Sequence, residues 1–338
     1  KMLGISFSII GAALLLYMLL VKQMVLNPLK ELSRFTAEII KSGNFEKQEI
    51  AINTKDEIEE LGNSFNVMVK KLEAYIENLT LVTAEKERIG AELNVATQIQ
   101  SSMLPCIFPA FPDRDELDIY ATMTPAKEVG GDFYDFFMVD ERHIAIVMAD
   151  VSGKGVPAAL FMVIGKTLIK DHTKPGRDLG EVFTEVNNIL CESNDNGMFI
   201  TAFEGVLDLV TGEFRYVNAG HEKPFIYRKG KGYEVYKVRP GFVLAGMENV
   251  RYKEQTLQLH PGDRIFQYTD GITEAMNKDN QLYGMERLND ILNQQCQTCS
   301  PEKTLELVKA DIDAFVQGND QFDDITMLCL AYTKRMEE

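Results

Sequence analysis

The N-terminal part of the chain begins with a continuous apolar run, Met2–Val21, which only Ser, Gly and Tyr interrupt. About 20 apolar residues match the thickness of a bilayer core, and a signal peptide would have a shorter run and a cleavage site. Because Lys22, Lys30 and Arg34 follow this run, the positive-inside rule places the downstream side in the cytoplasm. We therefore predict one transmembrane helix, residues 1–21, in the cell membrane, with the downstream part of the chain cytoplasmic.

A second pattern alternates steps of three and four residues between apolar positions. The stripe consists of Ile58, Leu61, Phe65, Met68, Leu72, Tyr75, Leu79, Val82, Lys86, Ile89, Leu93, Ala96, Gln100 and Met103. This spacing favours the seam of a parallel dimeric coiled coil over one amphipathic helix on a globular core, which would have a wider apolar face. The polar residues Lys86 and Gln100 cost stability at seam positions and can set the register or loosen the joint.

Local signals predict where the helices between these two patterns begin. Asn27-Pro28-Leu29 predicts the start of a short helix through about Lys41, because proline suits a first turn. Ser42-Gly43-Asn44 ends it, and a connector follows. Thr54 is then the predicted N-cap of the next helix, with Glu57 completing a capping box.

After Pro105 the heptads are replaced by short β runs, glycine turns and separate helices. Helices are predicted over residues 158–171, 178–191 and 301–317, and hairpins at residues 210–212 and 228–232. Because the strands are bunched and the helices come in separate runs, the pattern indicates an α+β fold rather than alternating βαβ units.

The composition excludes some classes of function. Among 338 residues, 35 are Lys or Arg and 51 are Asp or Glu, so the net charge is −16. This balance argues against a nucleic-acid partner, whose phosphates need a basic surface. The five scattered cysteines indicate reduced thiols rather than a disulfide scaffold.

Acidic residues recur in one local setting, where an apolar strand meets a loop. They are Asp132 after Gly130-Gly131, Asp150 after an apolar run, Asp270 before Gly271, and Asp323-Asp324 before the last apolar strand. Each alone is explained equally well as a turn residue. Four carboxylates brought together repel one another unless cations lie between them. Oxygen ligands select Mg²⁺ or Mn²⁺, and two such ions can clamp a phosphoryl group for in-line displacement.

The motifs around residues 22–75 resemble a HAMP domain. The resemblance rests on Asn27-Pro28-Leu29 and on the corner Asp56-Glu57-Ile58, which continues through Phe65 and Met68. HAMP domains are dimeric four-helix relay modules below bacterial receptors, so it implies a homodimer. Since the chain opens at Lys1 without a Met, we expect further sequence upstream, including a sensor domain. Residues 76–104 are then a coiled-coil linker helix.

Five motifs occur in order in the remaining part, residues 105–334. They occupy residues 125–135, 149–159, 218–221, 268–274 and 323–326. Together they resemble the bacterial PP2C-type serine/threonine phosphatases of the SpoIIE/RsbU kind. The resemblance implies a PP2C-like αββα sandwich, two packed β-sheets flanked by helices. It also implies metal-dependent hydrolysis of phosphoserine or phosphothreonine, on a partner such as an anti-sigma-factor antagonist.

The resemblance also implies roles for individual residues. Asp132, Asp150, Asp270 and Asp323 would bind two Mn²⁺ or Mg²⁺ ions, with Asp150 bridging. The backbone carbonyl of Val151 would be a further ligand. The nucleophile would be metal-bound hydroxide, so that no side chain is phosphorylated.

Three more residues belong to this implied site. Asp324 would orient the ligands through hydrogen bonds. His221, in Asn-Ala-Gly-His, would either orient water or substrate or simply bond a turn. The family's Pro-Pro after this motif is replaced here by Glu222-Lys223-Pro224, which weakens any role for the loop. Lys154 would either contact phosphate from its glycine turn or remain solvated.

The segment from Glu85 to Pro105 resembles the linker helix that precedes the catalytic domain in this family. We hypothesise that rotation or repacking of the stalk moves the supports of the metal site and so sets metal occupancy. Substitution of Lys86 or Gln100 by Leu should then lock activity high or low. The competing functions are a non-catalytic PP2C-like relay, disfavoured because all four predicted ligands are present, and a nucleotide-producing enzyme, whose nucleotide-binding loop is not found in the sequence.

Overall fold

The computed structural model describes residues 2–42, 49–192 and 194–337. The chain divides into two compact units between Ala91 and Glu92. The end predicted for the first HAMP helix at Gly43-Asn44, and most of the connector, lie outside the described residues.

The first unit begins with α1 (Met2–Val21), over the range predicted for the apolar helix. A π-helical turn, Lys22–Leu26, joins it without a break to α2 (Asn27–Ser42). The helix start predicted at Asn27 is therefore the point where a continuous helix changes from π to α geometry. The helical stretch Ile5–Lys41 is long and apolar enough to cross a membrane, and its most apolar window is not buried.

Helix α3 (Glu57–Met103) is a single element of 47 residues. The connector before it is tied to the helix by Asn66, whose side chain accepts from the backbone N–H of Ile50 at 3.0 Å and donates to the Ile50 carbonyl at 2.9 Å. Phe35 of α2 packs edge-on against Phe65 of α3, with ring centres 6.0 Å apart.

The capping box predicted at Thr54 and Glu57 is wrong, because the N-cap is Asp56. The Asp56 carboxylate accepts a hydrogen bond from the backbone N–H two residues later at 3.0 Å. Glu59 reaches back to the backbone N–H of Lys55 at 2.8 Å. Lys55 has a left-handed backbone, φ 57°, which carries the chain through one further turn before the helix begins.

The second unit contains two five-stranded antiparallel sheets, ordered β1-β10-β9-β6-β7 and β2-β3-β4-β5-β8. The strands are β1 (Leu117–Thr124), β2 (Phe133–Met138), β3 (His143–Val151), β4 (Ile200–Asp208), β5 (Glu213–Ala219), β6 (Phe225–Arg228), β7 (Gly232–Val235), β8 (Gln255–Gln258), β9 (Arg264–Tyr268) and β10 (Ile325–Tyr332). Both predicted hairpins form, between β4 and β5 and between β6 and β7. Side chains of both sheets share one core, to which Ile146 and Leu328 belong.

Helices cover the outer faces of the sandwich. They are α4 (Val156–His172), α5 (Leu179–Glu192), α7 (Gly284–Gln295) and α8 (Pro301–Val316), whereas the short α6 (Asp270–Thr273) follows the end of β9. Helices α4 and α5 lie against β3 and β5 of one sheet, and α7 and α8 against β7, β1 and β10 of the other. The three predicted helices are confirmed as α4, α5 and α8, whereas α6 and α7 were not predicted. The αββα sandwich is confirmed.

Candidate active site

The pairing of the strands brings the sequence-predicted acids to one end of the sandwich. In one sheet, Phe133 pairs with Ala149 across β2 and β3, which sets Asp132 beside Asp150. In the other sheet, Tyr268 pairs with Met327 across β9 and β10. Asp270 follows that end of β9, and the acidic pair 323–324 precedes that end of β10.

Burial and the negative charges of neighbouring acids raise the pKa values of three of these carboxyls. Burial, followed by the negative charges of Asp270 and Asp323, raises the pKa of Asp150 to about 7. Burial raises the pKa of Asp270 to about 6, and the negative charges of Glu274 and Asp323 add to this shift. Burial and the charge of Asp150 also raise the pKa of Asp132 well above its usual range. Bringing these acids together therefore costs free energy that a bound cation would offset.

Two hydroxyl groups hold the Asp132 carboxylate in place. Thr269 donates to Asp132 Oδ2 at 2.7 Å, and Thr326 donates to the same oxygen at 2.6 Å. All three side chains are buried. Neither threonine was predicted from the sequence. The available signal was that each lies close in sequence to a predicted site acid: Thr269 directly precedes Asp270, and Thr326 follows Asp324 by two residues.

Asp324 organises the loop that leads to Asp132. Its carboxylate accepts from the backbone N–H groups of Ala126 at 2.8 Å, Gly131 at 2.7 Å and Asp132 at 3.3 Å. A Cβ on Gly130 would lie 2.4 Å from Asp324 Oδ2, so only glycine fits there. This geometry is in keeping with the orienting role predicted for Asp324, and that role stays a prediction.

The donors at this end fit a hard divalent cation. They are carboxylate oxygens together with the backbone carbonyl of Val151, which a Cβ on Gly131 would approach to 2.9 Å. Throughout the part of the chain that is described, no three His, Cys, Asp or Glu side chains stand close enough to hold an ion as they are. Asp132 and Asp150 nevertheless stand at the paired ends of β2 and β3, and Thr269, which precedes Asp270, donates to Asp132, so the three acids lie in one region of the fold. The donor chemistry therefore fits, and holding an ion requires these side chains to turn toward one another.

Comparison with known proteins accounts for both units. Residues 140–333 match the model of the family described as Stage II sporulation protein E (SpoIIE). The chain belongs to the SpoIIE family of PP2C-type phosphatases. Residues 20–74 match the HAMP domain, which confirms the resemblance of residues 22–75 to that domain.

Relatives of this SpoIIE-family chain include two curated bacterial proteins and a solved structure. Protein IcfG of Synechocystis sp. is 33% identical over 307 residues, which cover 82% of this chain but 46% of IcfG, so the chain spans less than half of that relative. Phosphoserine phosphatase RsbU of Bacillus subtilis is 32% identical over 267 residues, covering 78% of this chain and 76% of RsbU. The SiaA-PP2C domain of Pseudomonas aeruginosa shows the same fold, with TM-score 0.64, 20% identity, and coverage of 75% and 99% of the two chains.

His221 of this SpoIIE-family domain is buried, with 5% of its surface exposed. Asn218 accepts from the His221 backbone N–H and donates to its carbonyl, both at 2.9 Å. His221 Nδ1 lies 2.9 Å from the Thr201 hydroxyl. Burial lowers the pKa of this imidazole to about 3. The geometry favours the interpretation in which His221 bonds a turn, because the imidazole is buried and Asn218 bonds both backbone groups of His221.

The C-terminal end of α3 contacts the loop that carries Asp132. Gln100 donates to the Gly130 carbonyl at 2.6 Å and accepts from the Gly130 N–H at 3.1 Å. One turn earlier, Thr97 donates to the Glu128 carbonyl at 2.5 Å. Gln100 is only 7% exposed, so it serves this SpoIIE-family domain as a buried link between α3 and the site loop.

Proposed function

We propose that the protein is a membrane-anchored, metal-dependent phosphatase that hydrolyses phosphoserine or phosphothreonine. The observation that carries this proposal is the grouping of Asp132, Asp150 and Asp270 at one end of the sandwich, where burial and neighbouring acids raise their pKa values. Membership of the SpoIIE family and the similarity to phosphoserine phosphatase RsbU support it.

The residues that would hold two Mn²⁺ or Mg²⁺ ions are Asp132, Asp150, Asp270 and Asp323, with the carbonyl of Val151. Bound divalent cations neutralise phosphoryl charge and lower the pKa of water. Thr269 and Thr326 keep Asp132 oriented by donating to one of its oxygens. Asp324 keeps the preceding loop against the site through backbone N–H groups. Lys154, from its glycine turn, would contact the phosphate.

The proposed substrate is a phosphorylated protein such as an anti-sigma-factor antagonist. The site lies at strand ends, where Asp150, Asp270 and Asp323 are partly exposed and within reach of a phosphorylated side chain on a protein surface. A net charge of −16 argues against a nucleic acid as the partner.

We further infer that the chain is a homodimer anchored in the lipid bilayer through residues 1–21. Residues 22–75 form the HAMP module, residues 76–104 the coiled-coil linker and residues 105–334 the phosphatase domain, on the cytoplasmic side. The HAMP match and the apolar helix support this arrangement. The bonds from Gln100 to Gly130 support regulation through the linker, because a movement of α3 is passed directly to the loop that carries Asp132.

The test is hydrolysis of p-nitrophenyl phosphate by the chain in detergent micelles, with Mn²⁺ or Mg²⁺ varied and Asp150→Asn as control. We expect metal-dependent hydrolysis that the variant loses by at least about a hundredfold. Release of phosphate from phosphorylated antagonist proteins then identifies the substrate. A non-catalytic relay would bind such a protein and release no phosphate, and that result would refute the proposal.

A further inference from the structure

Lys154 lies against one of the predicted metal ligands. Its Nζ forms an ion pair with Asp323 Oδ2 at 2.9 Å and donates to the Phe322 carbonyl at 2.6 Å. The same Nζ lies 3.7 Å from the centre of the Phe322 ring. Among the described residues, this is the one ion pair formed by any of the four predicted ligands. The interpretation of Lys154 as merely solvated therefore does not fit the structure.

The surroundings of Lys154 leave its side chain room to exchange partners. It lies between Gly153 and Gly155, whose left-handed φ values are 90° and 81°. A Cβ on either glycine would meet no atom within 4 Å, so the loop is uncrowded. The Lys154 and Asp323 side chains are 29% and 27% exposed, so a phosphoryl group that enters from solvent can approach the ammonium.

We propose that Lys154 alternates between Asp323 and the phosphoryl group of the substrate, and that it competes with a divalent cation for Asp323. This inference rests on the proposed phosphatase function. A carboxylate that is paired with an ammonium offers less negative charge to a cation. A phosphoryl dianion draws the ammonium to itself, because charge-assisted hydrogen bonds to phosphate are strong. Lys154 thus couples substrate binding to cation binding, and the coupling acts in both directions.

Calorimetric titration of Mn²⁺ into the full chain in detergent micelles tests this exchange without reference to turnover. We expect Lys154→Met to bind Mn²⁺ roughly two- to tenfold more tightly than wild type when phosphate is omitted. Inorganic phosphate should tighten Mn²⁺ binding in wild type by a larger factor than in Lys154→Met. Lys154→Arg keeps the positive charge and should stay within about twofold of wild type.

The matched control is Lys170→Met. Lys170 also pairs with a carboxylate, that of Asp135 at 3.4 Å, and lies over the ring of Phe137 at 4.7 Å, so the variant loses the same charge from the same kind of contact elsewhere in the domain. Its Mn²⁺ affinity should equal that of wild type. An equal gain in both methionine variants, or unchanged or weaker binding in Lys154→Met, would overturn the proposal. Failure of wild type to hydrolyse p-nitrophenyl phosphate would instead refute the phosphatase function, and the titrations would still report on Lys154.

Discussion

The single residues that matter most for the site are the neutral donors around Asp132. Burial and repulsion disfavour the ionised form of this carboxyl, whereas the hydroxyls of Thr269 and Thr326 lower its pKa by donating to the charged form. A neutral hydroxyl orients a carboxylate by a hydrogen bond and leaves its negative charge available to a cation.

Replacing Thr326 by Val should weaken Mn²⁺ binding by roughly ten- to a hundredfold, because Asp132 loses one of the two hydroxyls that orient it. Thr326→Ser keeps the hydroxyl and is the control. Isothermal titration of both variants measures the effect, with thermal unfolding as a check on folding. Equal affinities for the Val and Ser variants would contradict the assigned role.

A second residue-scale feature is Glu204, which is fully buried in β4. Thr173 contacts its Oε1 at 2.7 Å, and among the described residues its Oε2 has no partner. Burial raises the pKa of Glu204 to about 8, and the negative charge of Asp135 acts in the same direction. The folded protein therefore keeps this carboxyl protonated at neutral pH.

Glu204 should make stability depend on pH. The pKa of Glu204 is higher in the folded than in the unfolded chain. Its stabilising contribution to the free energy of unfolding is therefore complete below pH ~4.5 and is lost as the pH rises through about 8. Glu204→Gln removes the titration, and its melting temperature should exceed that of wild type by several degrees at pH 9. At pH 5 the two should differ little. A difference in melting temperature that is independent of pH would contradict this.

At the scale of elements, α3 is the one that connects the sequence patterns of the stalk with the chemistry of the site. Seen from the sequence, Gln100 is a polar interruption of the apolar stripe. In the fold its amide is buried and satisfies both backbone groups of Gly130. The position of the C-terminal end of α3, from Glu92 on, and the position of the loop that carries Asp132 are therefore not independent.

Gln100→Leu should lower Mn²⁺ affinity and phosphatase activity, because it leaves the buried N–H and carbonyl of Gly130 without partners at a cost of about 1–3 kcal/mol. Lys86→Leu tests the stalk away from the site and should shift activity through α3. Activity assays and Mn²⁺ titrations of both variants give the result. Wild-type activity in both would count strongly against control by the linker.

At the scale of the whole molecule, the middle of the apolar stripe of α3, between Met68 and Ile89, is exposed on a single chain. Leu79, Val82 and Ile89 are 48%, 58% and 44% exposed. Apolar side chains at a coiled-coil spacing indicate an interface with a second copy. The dimer thus remains a prediction that the exposure of these residues supports.

Leu79→Glu should weaken self-association of the chain in detergent by roughly tenfold or more, because it places a charge in the predicted seam. Leu81→Glu is the matched control, since Leu81 is 66% exposed and lies off the stripe. Light scattering with micelle correction measures the association. Equal loss of the dimer in both variants, or in neither, would place the interface elsewhere.

The sequence by itself determined most of the longer elements and the candidate acids, but not α6 and α7. Helix α1, the long α3 and the strands that end near Asp150 and Asp270 follow from hydrophobic period, which reports burial along a local stretch of chain. The acids were recognisable because each stands where an apolar strand meets a loop, which is a local signal in the sequence. The start of α3 was missed, because the left-handed Lys55 moved the N-cap from Thr54 to Asp56.

Only the tertiary structure decided what the acids touch. Thr269 and Thr326 reach Asp132 across 137 and 194 residues of sequence, and Lys154 reaches Phe322 across 168. The burial of His221 and the contact of Gln100 with Gly130 also depend on packing. The physical reason is that periodicity is a property of neighbouring residues, whereas these contacts depend on how strands and loops that are distant in sequence pair and pack at one end of the sandwich.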